Sequence, residues 1–126
     1  MCGLDVTMKS LLWEEDVQSL EKGDEIRKQF ARMLRFYFDS TAFQGKETIA
    51  MHDSVPFLYL LYGEMFSGEH HVMHVSCTED ICRGRTVICD GAYTFITRDE
   101  PKNVYVLKDV DSERFRRELM ERLMAL

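Results

Sequence analysis

The sequence predicts an α+β fold in which N-terminal helices pack on one face of a curved antiparallel sheet and a further helix closes the chain. Three observations predict this order. The first half has apolar residues at helical spacing, the period becomes strand-like after Phe57, and an amphipathic helical pattern returns after Ser112. The 126 residues are about the length of one domain. Residues 1–126 are therefore interpreted as a single domain.

The first half is interpreted as helical. Apolar residues in segment 5–22 recur at helical spacings, and Gly23 stands where a helix would end. Asp24 can cap a second helix. The apolar stripe of that helix comprises Ile26, Phe30, Met33, Leu34 and Tyr37. Segment 46–53 is predicted to form a short helix that Pro56 ends or that gives way there to the next element.

The second half is interpreted as strands followed by a helix. Segment 57–66 is nearly all apolar, which fits a strand covered on both faces, and a buried helix stays open as an alternative. Further strands are predicted at 69–79, 85–98 and 104–107. Asp111 or Ser112 can cap the last helix, and its packing partner is left open between the sheet, the mouth of the fold and a partner protein.

Composition excludes some classes of function. The net charge of −6 and the pI near 5.2 argue against nucleic acid as a main partner, because phosphate binding needs an excess of Lys and Arg. No stretch reaches the roughly 18 apolar residues of a membrane span. The N-terminus lacks the pattern of a signal peptide, which predicts an intracellular protein with reduced cysteines.

Several segments resemble the nuclear transport factor two family. Phe43-Gln44-Gly45-Lys46-Glu47-Thr48-Ile49 is similar to the step into that family's third helix, and Val55-Pro56-Phe57 to the exit from it. Tyr93-Thr94-Phe95-Ile96 resembles the penultimate strand, and segment 104–116 resembles the last one. The likeness covers segment 13–116.

This resemblance implies a cone-shaped fold with a strongly curved sheet that pairs through its open face. Members of the family are transport adaptors that bind GDP-bound Ran and the Phe-Gly repeats of the nuclear pore, or the small subunit of the messenger-RNA export receptor. Others are enzymes that use the interior of the cone as a pocket, such as isomerases and dehydratases.

A metal site is tested on the histidine and cysteine residues of the predicted strands. The candidate ligands are His70, His71, His74, Cys77, Cys82 and Cys89. Zinc favours thiolate and imidazole ligands, but the spacing matches no zinc template, and His71 and His74 would face opposite sides of a strand. No metal and no cofactor are therefore expected.

A catalytic alternative rests on polar residues that could face the interior of the cone. Asp90 lies in a predicted strand, where an apolar pocket would raise its pKa and make it a general base. His74 and Tyr37 are the other candidates, with Tyr59 or Tyr93 as further tyrosines. The resemblance connects this arrangement to ketosteroid isomerase, in which an acid and a tyrosine act together.

The adaptor interpretation needs binding surfaces. Trp13 lies among acidic residues on a predicted helix, where it could bind Phe-Gly repeats or belong to the core. Glu79 and Asp80 fall in a turn where the resembling family also has acidic residues, and they could bind Ran. The apolar sheet face predicts a homodimer or heterodimer. The residues proposed for that face are Tyr59, Met73, Val75, Tyr93 and Phe95.

The sequence alone thus favours a small non-enzymatic adaptor of nucleocytoplasmic transport, present in cytoplasm and nucleus. Its predicted partners are proteins only: a second protomer or an export receptor subunit, Ran and Phe-Gly nucleoporins. The messenger-RNA export subunit and an isomerase or dehydratase of the same fold are the alternatives.

Overall fold

The computed structural model describes residues 1–40, 46–90 and 100–126. The helices in these ranges are α1 (Leu4–Thr7), α2 (Glu14–Glu21), α3 (Glu25–Asp39), α4 (Ser54–Leu61) and α5 (Ser112–Met124). The strands are β1 (Leu11–Trp13), β2 (Thr48–Ala50), β3 (Phe66–His71), β4 (Met73–Val75), β5 (Thr86–Ile88) and β6 (Val104–Val110). A 3₁₀ turn at Gly63–Met65 joins α4 to β3. None of the described helices is long and apolar enough to cross a membrane.

Two helices confirm the sequence-based boundaries. Asp24 caps α3 by accepting a hydrogen bond from the Arg27 backbone N–H at 3.1 Å. Asp111 caps α5 in the same way, with the Arg114 N–H at 3.0 Å. A cap of this kind satisfies a backbone donor that a helix otherwise leaves free, so both starts are fixed by local chemistry.

The single helix predicted for segment 5–22 is wrong. It is divided into α1, β1 and α2, because Leu11–Trp13 pairs antiparallel with Thr48–Ala50. Where α2 begins, the Trp13 backbone N–H donates to Asp16 Oδ2 at 2.8 Å. Pairing with a distant strand thus outweighs the local helical periodicity in the middle of this segment.

Two predictions in the centre of the chain are wrong, because the predicted helix contains a strand and the predicted strand begins in a helix. Segment 46–53, predicted as a helix, contains β2, and the first part of segment 57–66, predicted as a strand, lies in α4. Pro56 lies in the first turn of α4, where its missing N–H costs no helical hydrogen bond. Residues 57–61 are therefore helical, as in the alternative interpretation, but the helix is not a buried one, because Val55 and Leu58 are its only buried side chains.

The predicted strongly curved, cone-shaped sheet is wrong. The described strands form three antiparallel pairs, β1 with β2, β3 with β6, and β4 with β5. The segment expected to supply a central strand is helical instead, and segment 69–79 is interrupted at Val72 between β3 and β4. The strand predicted at 104–107 is confirmed and extends to Val110. Gly91, and the rest of the predicted strand from there to residue 98, lie outside the described residues.

The core lies between the helices and the two strand pairs nearest to them. Helix α5 packs against α2, α4 and β1. The packing partner that the sequence left open is therefore the chain's own helices and its first strand. Its buried side chains are Phe115, Leu119 and Leu123. They meet Val17 and Leu20 of α2 and Val55 and Leu58 of α4 in one apolar cluster.

Gly68 permits the close approach of β3 and β6. The register of this pair shifts between Ser67 and Gly68. A Cβ at Gly68 would collide with the Val106 carbonyl oxygen and lie 3.1 Å from the Leu107 Cα. Both are backbone atoms, which cannot rotate away.

Replacing Gly68 by alanine is expected to lower the free energy of unfolding by about 1–3 kcal/mol, because the strands must separate locally. Gly63→Ala is the matched control, since its Cβ would only touch Tyr59 Cε2 at 3.9 Å. Urea unfolding followed by circular dichroism measures both. Equal stability of the two variants would contradict this account.

Candidate active site

The turn between β2 and α4 brings a histidine and a carboxylate side by side. Strand β2 ends at Ala50, and the Met51 N–H donates to the Ser10 carbonyl at 2.8 Å. His52 and Asp53 follow, directly before α4 begins at Ser54. Binding and catalytic side chains are common in loops that regular elements hold in place, and this turn is such a loop.

His52 is held in a fixed orientation. Its Nδ1 lies 2.7 Å from Thr7 Oγ1, a part-buried hydrogen bond between segments 45 positions apart. Thr7 is buried at the end of α1. This contact engages Nδ1 and leaves Nε2 as the ring atom free of it. An imidazole fixed through one nitrogen is a common arrangement for proton transfer through the other.

Asp53 presents an exposed carboxylate next to this ring. It stands at the N-cap position of α4, yet its side chain makes no capping hydrogen bond. Among residues 1–40, 46–90 and 100–126, no ion pair involves it. The carboxylate is therefore available to a ligand at the N-terminal end of α4.

Two depressions open on either side of the turn. One has a volume of about 640 Å³ and is lined by Met1, Cys2, Gly3, Leu4, Thr7, His52, Asp53, Pro56 and Thr86. The other, of about 450 Å³, is lined by Phe30, Met33, Leu34, Phe36, Tyr37, Ala50, Met51, His52, Asp53 and Ser54. Both volumes fall in the range of small-molecule sites. We call the second depression the aromatic groove.

Cys2 is the one thiol, among the described residues, that lines these two depressions. Its burial and the nearby Asp5 raise the pKa of the thiol, against a smaller opposite effect of the N-terminal ammonium. A thiol with a raised pKa stays protonated at neutral pH and is a poor nucleophile. His52 and Asp53 are therefore the candidates for acid–base chemistry at this turn.

Trp13, predicted to bind a partner, lies in a different cavity. Its ring is 38% exposed and the Arg116 guanidinium lies 5.8 Å from its centroid. Arg116 donates to both carboxylate oxygens of Asp16, at 2.8 and 2.9 Å, and also pairs with Glu15. These charges satisfy one another and join α2 to α5. The charged residues of this cavity therefore have a structural role.

The three predicted catalytic residues lie in three places. Tyr37 lines the aromatic groove with His52. His74 Nε2 pairs with Glu100 Oε2 at 2.6 Å on the exposed surface. Asp90 receives His71 Nδ1 at 3.0 Å to each of its oxygens. Tyr37 alone of these three lies beside the candidate site.

The pKa of Asp90 moves in the direction opposite to that of the expected general base. Partial desolvation raises the pKa. The hydrogen bonds from His71 and from the backbone N–H of Asp90, together with the charge of Lys102, lower it by more, so the net pKa lies below the usual range. A carboxylate with a lowered pKa is a weaker base.

The predicted partner surfaces are likewise dispersed. Glu79 and Asp80 lie in the exposed loop between β4 and β5, where Asp80 accepts hydrogen bonds from Thr78 and Cys82 that lower its pKa. Of the predicted dimer face, Tyr59 packs on the core, Met73 is buried and Val75 is exposed. Tyr93 and Phe95 lie outside the described residues.

A metal centre finds no support in the part of the chain that the structure describes. No group of three or more His, Cys, Asp or Glu side chains there could hold a metal ion. The candidate ligands His71 and His74 are engaged by Asp90 and Glu100.

Sequence reasoning missed His52 and Asp53. Segment 46–53 looked like a helix, which placed the pair at an ordinary helix end. The usable signal was the His-Asp step itself, between the β-branched Thr48–Ala50 segment and the apolar run that starts at Val55. A polar pair in a short connection between a strand and a helix is a common place for a functional site.

Comparison with known proteins identifies the family. The family model for inosine-uridine preferring nucleoside hydrolases matches residues 1–117. The pyrimidine-specific ribonucleoside hydrolase RihA of Photobacterium profundum is 29% identical over 126 residues, which cover 98% of this chain and 39% of that protein.

Solved structures agree with this. The purine-preferring ribonucleoside hydrolase from Gardnerella vaginalis superposes with a TM-score of 0.82 at 26% identity, over 99% of this chain and 39% of that one. A plant nucleoside hydrolase, with a TM-score of 0.78 at 21% identity, covers 98% of this chain and 40% of its own and supports the fold. The chain thus spans about two-fifths of the length of these relatives.

These matches correct the functional predictions made from the sequence. The resemblance to the nuclear transport factor two family is wrong, and so is the cone-shaped fold, because the structures that this chain matches are nucleoside hydrolases, whose fold is Rossmann-like α/β. The adaptor function, the preference for a non-enzyme and the expected partners Ran, nucleoporins and export receptor are wrong with it, and so is an isomerase or dehydratase on a cone. The misleading segments were short, and one of them, Phe43 to Ile49, ends in a strand instead of a helix. The chain belongs to the inosine-uridine preferring nucleoside hydrolase family.

Proposed function

We propose that this chain forms part of the substrate site of a ribonucleoside hydrolase, which splits a ribonucleoside with water into ribose and a free base. The observation that carries the proposal is the pair His52 and Asp53 at the edge of the aromatic groove. Family membership supports the reaction class, and the printed names of the relatives include both pyrimidine-specific and purine-preferring enzymes.

The chemistry of this reaction suits the two side chains. When the C1′–N bond breaks, its electron pair leaves with the base, which must gain a proton. His52 Nε2 supplies that proton, since Thr7 holds Nδ1. The water oxygen bonds to C1′, and the Asp53 carboxylate takes the proton that the water loses. The negative charge of Asp53 also stabilises the positive charge that develops on the ribose ring.

The aromatic groove fits a planar base. Phe30, Phe36 and Tyr37 line it together with Met33. A base stacked on an aromatic ring gains about 1–3 kcal/mol, and this contact tolerates both purines and pyrimidines because every base has a π face. The groove therefore positions the leaving base, while the His-Asp turn acts at the glycosidic bond.

The test combines binding with turnover. We expect that adding inosine or uridine to the 126-residue chain shifts the NMR signals of the His52 ring, and that free ribose accumulates in a reducing-sugar assay. Ribose-5-phosphate and free hypoxanthine are the matched ligands that lack a glycosidic bond. Shifts confined to His74, which lies outside the site, would contradict the proposal, and so would an unchanged His52 spectrum at millimolar nucleoside.

A further inference from the structure

The loop between β4 and β5 carries two exposed thiols. Cys77 and Cys82 are exposed, whereas Cys2 and Cys89 are half-buried, and all four cysteines are free thiols. Every residue from 77 to 88 is exposed, so a covalent change in this loop disturbs no core packing. The function proposed above uses neither thiol. The two side chains are therefore candidates for a modification site of their own.

One carboxylate holds the chain on both sides of this loop. Asp80 Oδ2 accepts a hydrogen bond from the Thr78 hydroxyl at 2.8 Å, and Asp80 Oδ1 accepts one from the Cys82 backbone N–H at 2.7 Å. Asp side chains commonly bond the backbone two residues further on in this way. Because Thr78 directly follows Cys77, the two oxygens of a single side chain bind the neighbour of one thiol and the backbone of the other.

Backbone hydrogen bonds close the base of the same loop. The Gly84 N–H donates to the Ser76 carbonyl at 2.8 Å, and the Arg85 N–H donates to the Cys82 carbonyl at 2.9 Å. Cys77 is the residue after Ser76. Each cysteine therefore lies one residue or one hydrogen bond away from the base, and both thiols belong to one short, closed loop.

The other two cysteines are less suited to pair with either of these. Cys89 lies beside Val72, whose carbonyl accepts the Cys89 N–H at 2.8 Å. Val72 is five positions from Cys77, which corresponds to about 16 Å of extended chain, whereas the Cα atoms of a disulfide lie within about 7 Å of each other. Burial and the nearby Asp5 raise the pKa of the Cys2 thiol, so little thiolate forms there to attack a disulfide.

We propose that Cys77 and Cys82 form a reversible disulfide by exchange with a low-molecular-weight disulfide such as glutathione disulfide. One cysteine thiolate attacks a sulfur of the reagent, which forms a mixed disulfide and releases one glutathione thiolate. The second cysteine thiolate attacks the protein sulfur of the mixed disulfide, which forms the Cys77–Cys82 bond and releases the second glutathione. The protein loses two protons and two electrons, and the reagent gains them. The loop leads into Thr86, which lines the depression beside His52, so the bond forms at the edge of the candidate site.

Peptide mapping of the full 126-residue chain tests the pairing. The chain is incubated in a glutathione redox buffer, its remaining thiols are alkylated, and trypsin cuts it after Arg83 and Arg85. A Cys77–Cys82 bond then closes a ring inside one peptide, whereas a bond from either thiol to Cys89 links two peptides. We expect the ring to exceed the linked product by at least ~10-fold in the folded chain. In urea the two products should agree within about twofold, because the loop lengths are similar.

Two neighbouring acidic residues give matched variants. Asp80→Ala removes the carboxylate that binds Thr78 and Cys82, and it should lower the excess of the ring by at least ~3-fold. Glu79→Ala removes the same charge from an exposed side chain that forms an ion pair with Arg83 at 3.7 Å, and it should leave the excess within about twofold of wild type. Circular dichroism checks that both variants remain folded.

Three results would overturn the proposal. The first is a product ratio in the folded chain equal to that in urea. The second is a stable glutathione adduct on each of the two thiols in place of the ring. The third is an equal effect of Asp80→Ala and Glu79→Ala. None of these results depends on ribose release, so each of them leaves the proposed function untouched.

Discussion

Replacing His52 by alanine is expected to lower the rate of ribose release from inosine and uridine by roughly 10²–10⁴-fold, the usual contribution of a general acid. The base leaves poorly as an anion, and without the imidazole its proton must come from water. The loss should appear in kcat more than in KM, since the aromatic groove that would hold the base is unchanged. Ribose release at saturating nucleoside, for wild type and variant in the same preparation, measures it.

His74→Ala is the control for this variant. His74 is also a half-exposed histidine paired with one side chain, Glu100, but it lies on the surface away from the turn. Its removal should leave ribose release unchanged. If His52→Ala retained full activity, or if both variants lost it equally, His52 would not be the acid. Circular dichroism of the variants separates loss of chemistry from loss of fold.

A positioning role for Thr7 gives a second, finer readout. Thr7→Val keeps the shape of the buried side chain but removes the hydroxyl that holds His52 Nδ1 at 2.7 Å. We expect a loss of about 10-fold in kcat with KM unchanged, because the ring is no longer fixed in one orientation. Thr7→Ser retains the hydroxyl and should restore the wild-type kcat, whereas equal losses in the two variants would contradict the positioning role.

The elements that the sequence predicts correctly are those whose limits depend on local chemistry. Helix α3 begins at the Asp24 cap and α5 at the Asp111 cap, and each cap acts within three residues of itself. Strand β1 could not be found in this way. Its three residues lie within a helical pattern, and only the pairing with Thr48–Ala50, more than 30 residues away, makes them a strand.

The apolar run around Leu58 shows a second reason for failure. A continuous run of apolar residues has no period that separates a buried strand from a helix. The strand prediction assumed that every apolar side chain in this run is buried. In α4, however, Phe57 and Leu60 are exposed.

The candidate site was predictable only in part. Tyr37 was chosen as a tyrosine facing a pocket, and it does line the aromatic groove, but its neighbour His52 comes from a different element. Asp90 was chosen by its place in a strand, and its partner His71 lies 19 positions away. Which polar side chains meet depends on strand pairing, and the errors in strand pairing therefore became errors in the site.

Replacing Phe115 by alanine is expected to lower the free energy of unfolding by about 3–5 kcal/mol, because it leaves a cavity in the core. Phe115 is fully buried at the start of α5 and is the largest of the fully buried side chains among the described residues. It belongs to the apolar cluster that unites α2, α3 and α4. A loss of this size is a large fraction of the stability of a domain of this length, and the variant should unfold at a much lower urea concentration.

Phe36→Ala makes the comparison quantitative, because it removes the same atoms from a side chain that is 80% exposed. In the free chain this change should stay within about 0.5 kcal/mol of wild type. A Phe36→Ala variant as unstable as Phe115→Ala would contradict this account, because it would show that the chain buries the Phe36 side chain.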